Sequence, residues 1–173
     1  MKKPIALAAL ALAISSCANI DNVLNTTENS PQNQPMTTIT SNSEKGLVTL
    51  RSPHSVQDTA DKLKSLIESK GMKVFATVDH QQNATGTDLT LRPTQVILFG
   101  NPKAGTPLMQ CEQTVAIDLP QKILIHEDAQ GRVWLSYNNP EYLKSRHHIQ
   151  GCDTVITNIS MALMSLSTAA TAK

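Results

Sequence analysis

The chain lacks most of the signatures that would name a chemistry. It has no basic excess: fifteen Lys and Arg stand against fourteen Asp and Glu, for a formal net charge of +1. No Lys/Arg stripe interrupts that balance, so nucleic acid is not expected as a partner, because such binding rests on neutralising phosphates. No Cys-x-x-Cys occurs, which argues against a redox dithiol. His-x-x-x-His, His-Glu-x-x-His and paired Cys-x-x-Cys are absent too, so no metal site can be read from local spacing. The five histidines are His54, His80, His126, His147 and His148. The last two are adjacent and cannot share one helix face. A metal site built from distant residues, such as His80 and His147, would depend on the fold. There is no Gly-x-Ser-x-Gly and no internal repeat. We expect no metal and no cofactor.

Long apolar runs are also missing, except at the start. "MKKPIALAALALAISSC" places two lysines before an apolar run and small residues after it, the order of a secretory signal. The run is about half of the roughly 20 residues a membrane-spanning helix needs. Ile14-Ser15-Ser16-Cys17 resembles the bacterial lipobox. That resemblance implies cleavage before Cys17 and its lipidation, with several acyl chains anchoring the chain stably. An ordinary signal peptide ending near a cysteine is the competing reading. Ala18, not Asp, follows the cysteine, which by the enterobacterial sorting rule favours the outer membrane. Residues 1–16 carry two lysines and no acid, so their removal turns the formal charge from +1 to −1. Residues 17–44 are rich in Asn, Thr, Ser, Gln and Pro and bury too little to offset their ordering entropy. They are expected to be a flexible, lipid-anchored tether. Residues 45–173 then form one domain, placed in a bacterial cell envelope and facing the periplasm.

Two further cysteines remain. An even pair in an oxidising compartment points to a Cys111–Cys152 disulfide. Two separate buried thiols, or a thiol nucleophile at Cys111 served by His80 or His147, are the alternatives, and proximity is a matter of fold.

The patterning predicts α+β architecture. "GLVTLRS" (46–52) alternates as a strand. Ser55 and Asp58 form a helix-starting pair, followed by Val56, Ala60, Leu63 and Ile67 at helical spacing. "MKVFATVDH" (72–80) alternates again, with Met72, Val74, Ala76 and Val78 on its dry face. "QVILF" (95–99) suits a central strand. "KILIHED" and "RVWLSY" flank "AQG" as a hairpin. Pro140 suits a first helical turn. Residues 152–167 form a closing helix with Val155, Ile159, Ala162 and Leu166 on one stripe and Ile156 and Leu163 beside it. The order is strand, helix, four strands, helix, which implies a mostly antiparallel sheet with helices on one face.

Taken together, "GLVTLRSPHSVQDTADKL", "GMKVFATVDH", "LRPTQVILFGNPKAGTPLMQ", "LPQKIL" and "VWLSYNNPEYLKSRH" resemble the domain of unknown function 302 family, over about residues 46–148. The matching positions are Asp79, His80, Phe99 to Pro102, Gly105, Thr106, Leu108 to Gln110, Leu119, Pro120, Tyr137, Arg146 and His147. The resemblance implies a TATA-box-binding-protein-like β-α-β4-α fold and homodimers, and no established activity. It does not imply DNA binding. Cys111, and Cys152 in "IQGCDTV", depart from the family pattern.

"ILFGNPKAGTPLMQC" (97–111) spaces Gly100 and Gly105 like a phosphate-binding loop, but Thr106 and Pro107 stand where the loop needs its lysine and an amide. We expect instead a turn, with Thr106 capping a short helix that begins at Pro107. A loop leaving a buried strand is a common ligand site. The candidate pocket therefore gathers Asp79, His80, Asn101, Tyr137 and His147 into a small polar site. The competing reading has Asp79 and His80 capping a turn. The expected role is a non-catalytic envelope lipoprotein that binds a small molecule or a partner. The alternatives are an enzyme using Asp79 and His80 beside Gly100-Asn101, or a structural adaptor.

Overall fold

The computed structural model describes residues 39–42 and 45–173. The expected signal, Cys17 and most of the tether lie outside the described residues. Inside the stretch read as tether, Ile39–Asn42 forms a strand, β1. It pairs antiparallel with β2 (Leu47–Ser52), Ile39 opposite Leu50. Gly46 makes the connection at φ +62°, where a Cβ would fall inside the Tyr142 ring, so only glycine fits.

After β2 come helix α1 (Val56–Ser69), strand β3 (Lys73–Asp79), the short helix α2 (His80–Thr85), strand β4 (Thr94–Gly100) and helix α3 (Pro102–Cys111). A 3-10 turn (Gln113–Asp118), strands β5 (Gln121–Glu127) and β6 (Val133–Asn138), and helices α4 (Pro140–Arg146) and α5 (Asp153–Ala170) follow. The six strands form one sheet in the order β1-β2-β6-β5-β4-β3. Every pairing is antiparallel. With β1 and the short helical pieces set aside, the order is the expected α+β succession of strand, helix, four strands, helix.

The caps follow from side-chain chemistry. Ser55 Oγ accepts the Asp58 amide at 3.0 Å, starting α1 as read. One helix start differs from the reading. α3 begins at Pro102, not Pro107, because Asn101 Oδ1 accepts the Lys103 amide at 2.9 Å. The same Asn-Pro device starts α4, where Asn139 accepts the Glu141 amide at 3.0 Å. In both, the cap uses an orphan amide and proline supplies a first residue that needs none.

One sheet face carries Leu50, Ile97, Phe99, Ile123, Ile125, Leu135 and Tyr137, all buried. α1 and α5 lie over it with Leu63, Ile67, Ile156, Leu163 and Leu166. The buried α5 stripe is rotated from the one expected: Ile156, Ile159, Leu163 and Leu166 face inward, while Ala162 is exposed. Cys111 at the end of α3 and Cys152 before α5 form a disulfide, with Cα atoms 6.4 Å apart. Across 41 residues, such a link stabilises by about 4 kcal/mol on the chain-entropy account.

The largest departure from the expected pattern is in β3. Val74 stands opposite Phe99 but Ala76 stands opposite Leu98, with a bulge between. The extra residue breaks the alternation, so Val74 and Ala76 face opposite sides instead of sharing a dry face. Phe75, at the bulge, is left 48% exposed.

Candidate functional site

The bulge matters because of what stands across from it. β4 ends at Gly100, and a Cβ there would come within 3.4 Å of the Phe75 ring and 3.8 Å of Pro120. The missing side chain leaves a cavity of about 600 Å³, within the range of small-molecule sites. Phe75 and Leu98 wall it from the sheet, Pro102, Ala104, Gly105, Thr106 and Met109 from α3, Leu119 and Pro120 from the segment after the 3-10 turn, and Ile159 from α5. Its polar side chains are Asn101, Thr106 and Gln121, and no charged residue lines it. The reading that a site lies beside Gly100-Asn101 thus meets a cavity, but an apolar one rather than a small polar pocket.

Of the five candidate pocket residues, only Asn101 lines this cavity. Register explains why Asp79 and His80 do not. Lys73 is opposite Gly100, whereas Asp79 is opposite Gln95. Five residues of strand separate Gln95 from Gly100, about 17 Å at ~3.4 Å per residue. Asp79 caps α2, accepting the Gln82 amide at 2.9 Å, and also accepts from Gln95 Nε2 at 3.4 Å. His80 is exposed in the first turn of α2. Tyr137 is a core residue, 3% exposed. Its hydroxyl faces Met164 Sδ at 4.0 Å, and burial pushes the phenol up to about 12.

His147 has a different task. Its Nε2 lies 2.6 Å from Asp118 Oδ2, and its Nδ1 lies 3.2 Å from Thr114 Oγ1. Arg146 donates to Asp118 Oδ1 at 3.2 Å. The His147 and Asp118 side chains are 8% and 11% exposed. Thr114 in turn donates its hydroxyl and amide to Glu112 Oε1 at 2.7 and 2.9 Å, which holds the Glu112 carboxyl below its usual range. Carboxylate, imidazole and hydroxyl in this order resemble a nucleophile-activating set. Here, however, the hydroxyl proton points to Glu112, not to the histidine, so the arrangement fastens rather than attacks. It ties both ends of the 3-10 turn to α4 and so holds the Leu119-Pro120 wall. Among the described residues, no group of three or more His, Cys, Asp or Glu could hold a metal ion.

Sequence reasoning missed Phe75, Leu98, Met109, Leu119, Pro120 and Ile159 as cavity residues. They carry no reactive groups, and only the bulge and the disulfide-linked helices bring them together. A signal was nonetheless present. Gly100, Asn101, Pro102, Gly105, Thr106, Met109, Leu119 and Pro120 all belong to the positions that carry the family resemblance, and all line the cavity.

Comparison with known proteins agrees with the architecture. A solved structure titled as an uncharacterised conserved DUF302 protein, from Bacillus stearothermophilus, superposes with a TM-score of 0.66. It covers 72% of this chain and 98% of its own, at 14% identity, which speaks to fold alone. Over 106 residues, 61% of this chain, the sequence is 45% identical to the fluoride-specific ion channel FluC 1 of Brucella suis biovar 1. It is equally similar to FluC 1 of Brucella abortus biovar 1. The chain spans 42% and 39% of those two proteins, about two fifths of their length. Residues 48–166 match the family described as domain of unknown function DUF302, a span that contains every wall of the cavity, and the chain belongs to that family.

Proposed function

We propose that the protein is an envelope lipoprotein, anchored through Cys17, whose folded domain is a non-catalytic module that binds a small, largely apolar molecule. The observation that carries the binding role is the cavity beside Gly100. It has ligand-sized volume, a mostly apolar lining and three uncharged polar side chains that would orient a guest. The lipoprotein half of the reading is supported by the signal-like residues 1–16 and Ile14-Ser15-Ser16-Cys17. Non-catalytic binding is favoured over the enzyme alternative because Asp79 is engaged as a helix cap about five strand residues away from the cavity. The activity in the names of the Brucella relatives is not carried over, since about two fifths of those proteins is shared.

The test is titration with N-phenyl-1-naphthylamine, an uncharged probe that brightens in apolar surroundings, against wild-type protein and Gly100→Leu. Saturable brightening in the wild type, lost in Gly100→Leu with the far-UV circular dichroism unchanged, is the expected result. Equal brightening in both would sink the cavity as the site.

A further inference from the structure

The cavity has no charged wall, yet three lysines stand next to residues that line it. Lys73 stands opposite Gly100 in the β3–β4 register, with Nζ 5.7 Å from the centroid of Phe75. Lys103, one residue inside α3, lines a smaller adjoining cavity of about 250 Å³ that shares Gly100, Asn101 and Gln121 with the larger one. Lys122 Nζ donates to the Asp118 and Pro120 carbonyls at 2.8 and 3.3 Å, using two of an ammonium's three hydrogens. Nearby acids are engaged elsewhere: Asp118 with Arg146 and His147, Glu112 with Thr114. Among the described residues, no carboxylate pairs with Lys73, Lys103 or Lys122.

An apolar chamber with unpaired cations at its edge is complementary to one kind of guest. The chamber rewards burial of a hydrocarbon body and rejects an unpartnered charge. Ammonium groups beside a low-dielectric wall attract an anion more strongly than they would in bulk water. Resting on the binding role proposed above, we propose that the ligand is a single-chain anionic amphiphile, a long-chain carboxylate. Its tail lies among Phe75, Leu98, Met109 and Leu119, and its head lies at Lys73 and Lys103.

The experiment compares cis-parinaric acid with its methyl ester, which has the same fluorescent tail and no charge. Both are titrated into the full chain carrying Cys17→Ser, which leaves it without lipid. The acid is expected to bind about tenfold more tightly than the ester, the sum of two part-exposed ion pairs. The advantage shrinks in high salt. Lys73→Gln with Lys103→Gln, both surface changes that leave the core untouched, brings the acid down to the ester. If the acid binds no tighter than the ester, or the double lysine variant keeps the difference, the anionic-head proposal is overturned while the cavity stands. If neither probe binds saturably, or Gly100→Leu binds both as well as wild type does, the cavity reading fails and takes this proposal with it.

Discussion

The two ends of the β3–β4 pair are built from opposite materials. At the Asp79–Gln95 end, polar side chains meet and satisfy one another: Asp79 takes the Gln82 amide and Gln95 bonds to Gln57 and Asp79. At the Lys73–Gly100 end, a bulge and a missing side chain leave space lined with carbon. The end that looks chemical in the sequence is occupied with holding itself together. The end that offers a site has almost no reactive groups. A side chain whose hydrogen-bonding capacity is used up by its own fold has none left for a ligand, whereas a glycine facing an exposed phenylalanine leaves room by default.

The sharpest way to break this contrast is to fill the open end. Gly100→Leu puts a side chain where Phe75 and Pro120 already stand within 4 Å of a Cβ. Overpacking of this kind costs about 1–3 kcal/mol, and probe titration should show binding lost. Next comes the brace of the same end. Replacing Cys111 and Cys152 by serine should lower stability by up to about 4 kcal/mol, read from urea midpoints, and weaken binding, since α3 and α5 both wall the cavity. His147→Ala should cost about 1–3 kcal/mol by leaving the buried Asp118 carboxylate short of a partner. Hydrogen exchange should then rise first in residues 113–120. Asp79→Ala belongs to the other end. It should cost about 1 kcal/mol as a lost cap and leave probe binding unchanged. A binding loss there would abolish the contrast.

The smallest effect lies between the two ends of the neighbouring strand. His126 of β5 has a buried Nδ1 with no partner, and burial lowers its pKa below the ordinary 6.5. The unfolded chain therefore binds this proton more readily than the folded one. Stability contributed by neutral His126 is present above about pH 6.5 and declines as pH falls through the lowered value. His126→Gln should flatten that part of the thermal stability profile.

Much of the sheet was legible because its chemistry is local. Alternation in 46–52, the Ser55–Asp58 pair and the glycine-marked hairpin each specify their own element. The hairpin turn closes on Asp128, whose charge burial opposes but which the Trp134 indole and the Arg132 and Gln130 amides hold well below the usual carboxylate range. What was not legible depends on partners. Ile39–Asn42 is too polar and too short to announce a strand and becomes one only against β2. The pattern placed the start of α3 at Pro107 behind Thr106, whereas the Asn101 side chain sets it at Pro102. The bulge at Phe75 is invisible to a period of two, so the cavity it opens was invisible too. Its neighbourhood was visible only through the positions that resemble the family.

The disulfide and the His147 fastening have a consequence for traffic. α3 is bonded covalently next to α5, and the Leu119-Pro120 segment is pinned to α4, so those walls part only when much of the domain does. β3 is different: among the described residues it is an edge strand, hydrogen-bonded on one side only, and it is interrupted at the residue that faces the cavity. On the binding role proposed above, a guest would enter and leave past Phe75. Its residence time would then follow how often that edge loosens and its affinity the braced walls behind it, so the two quantities would be governed by different parts of the chain.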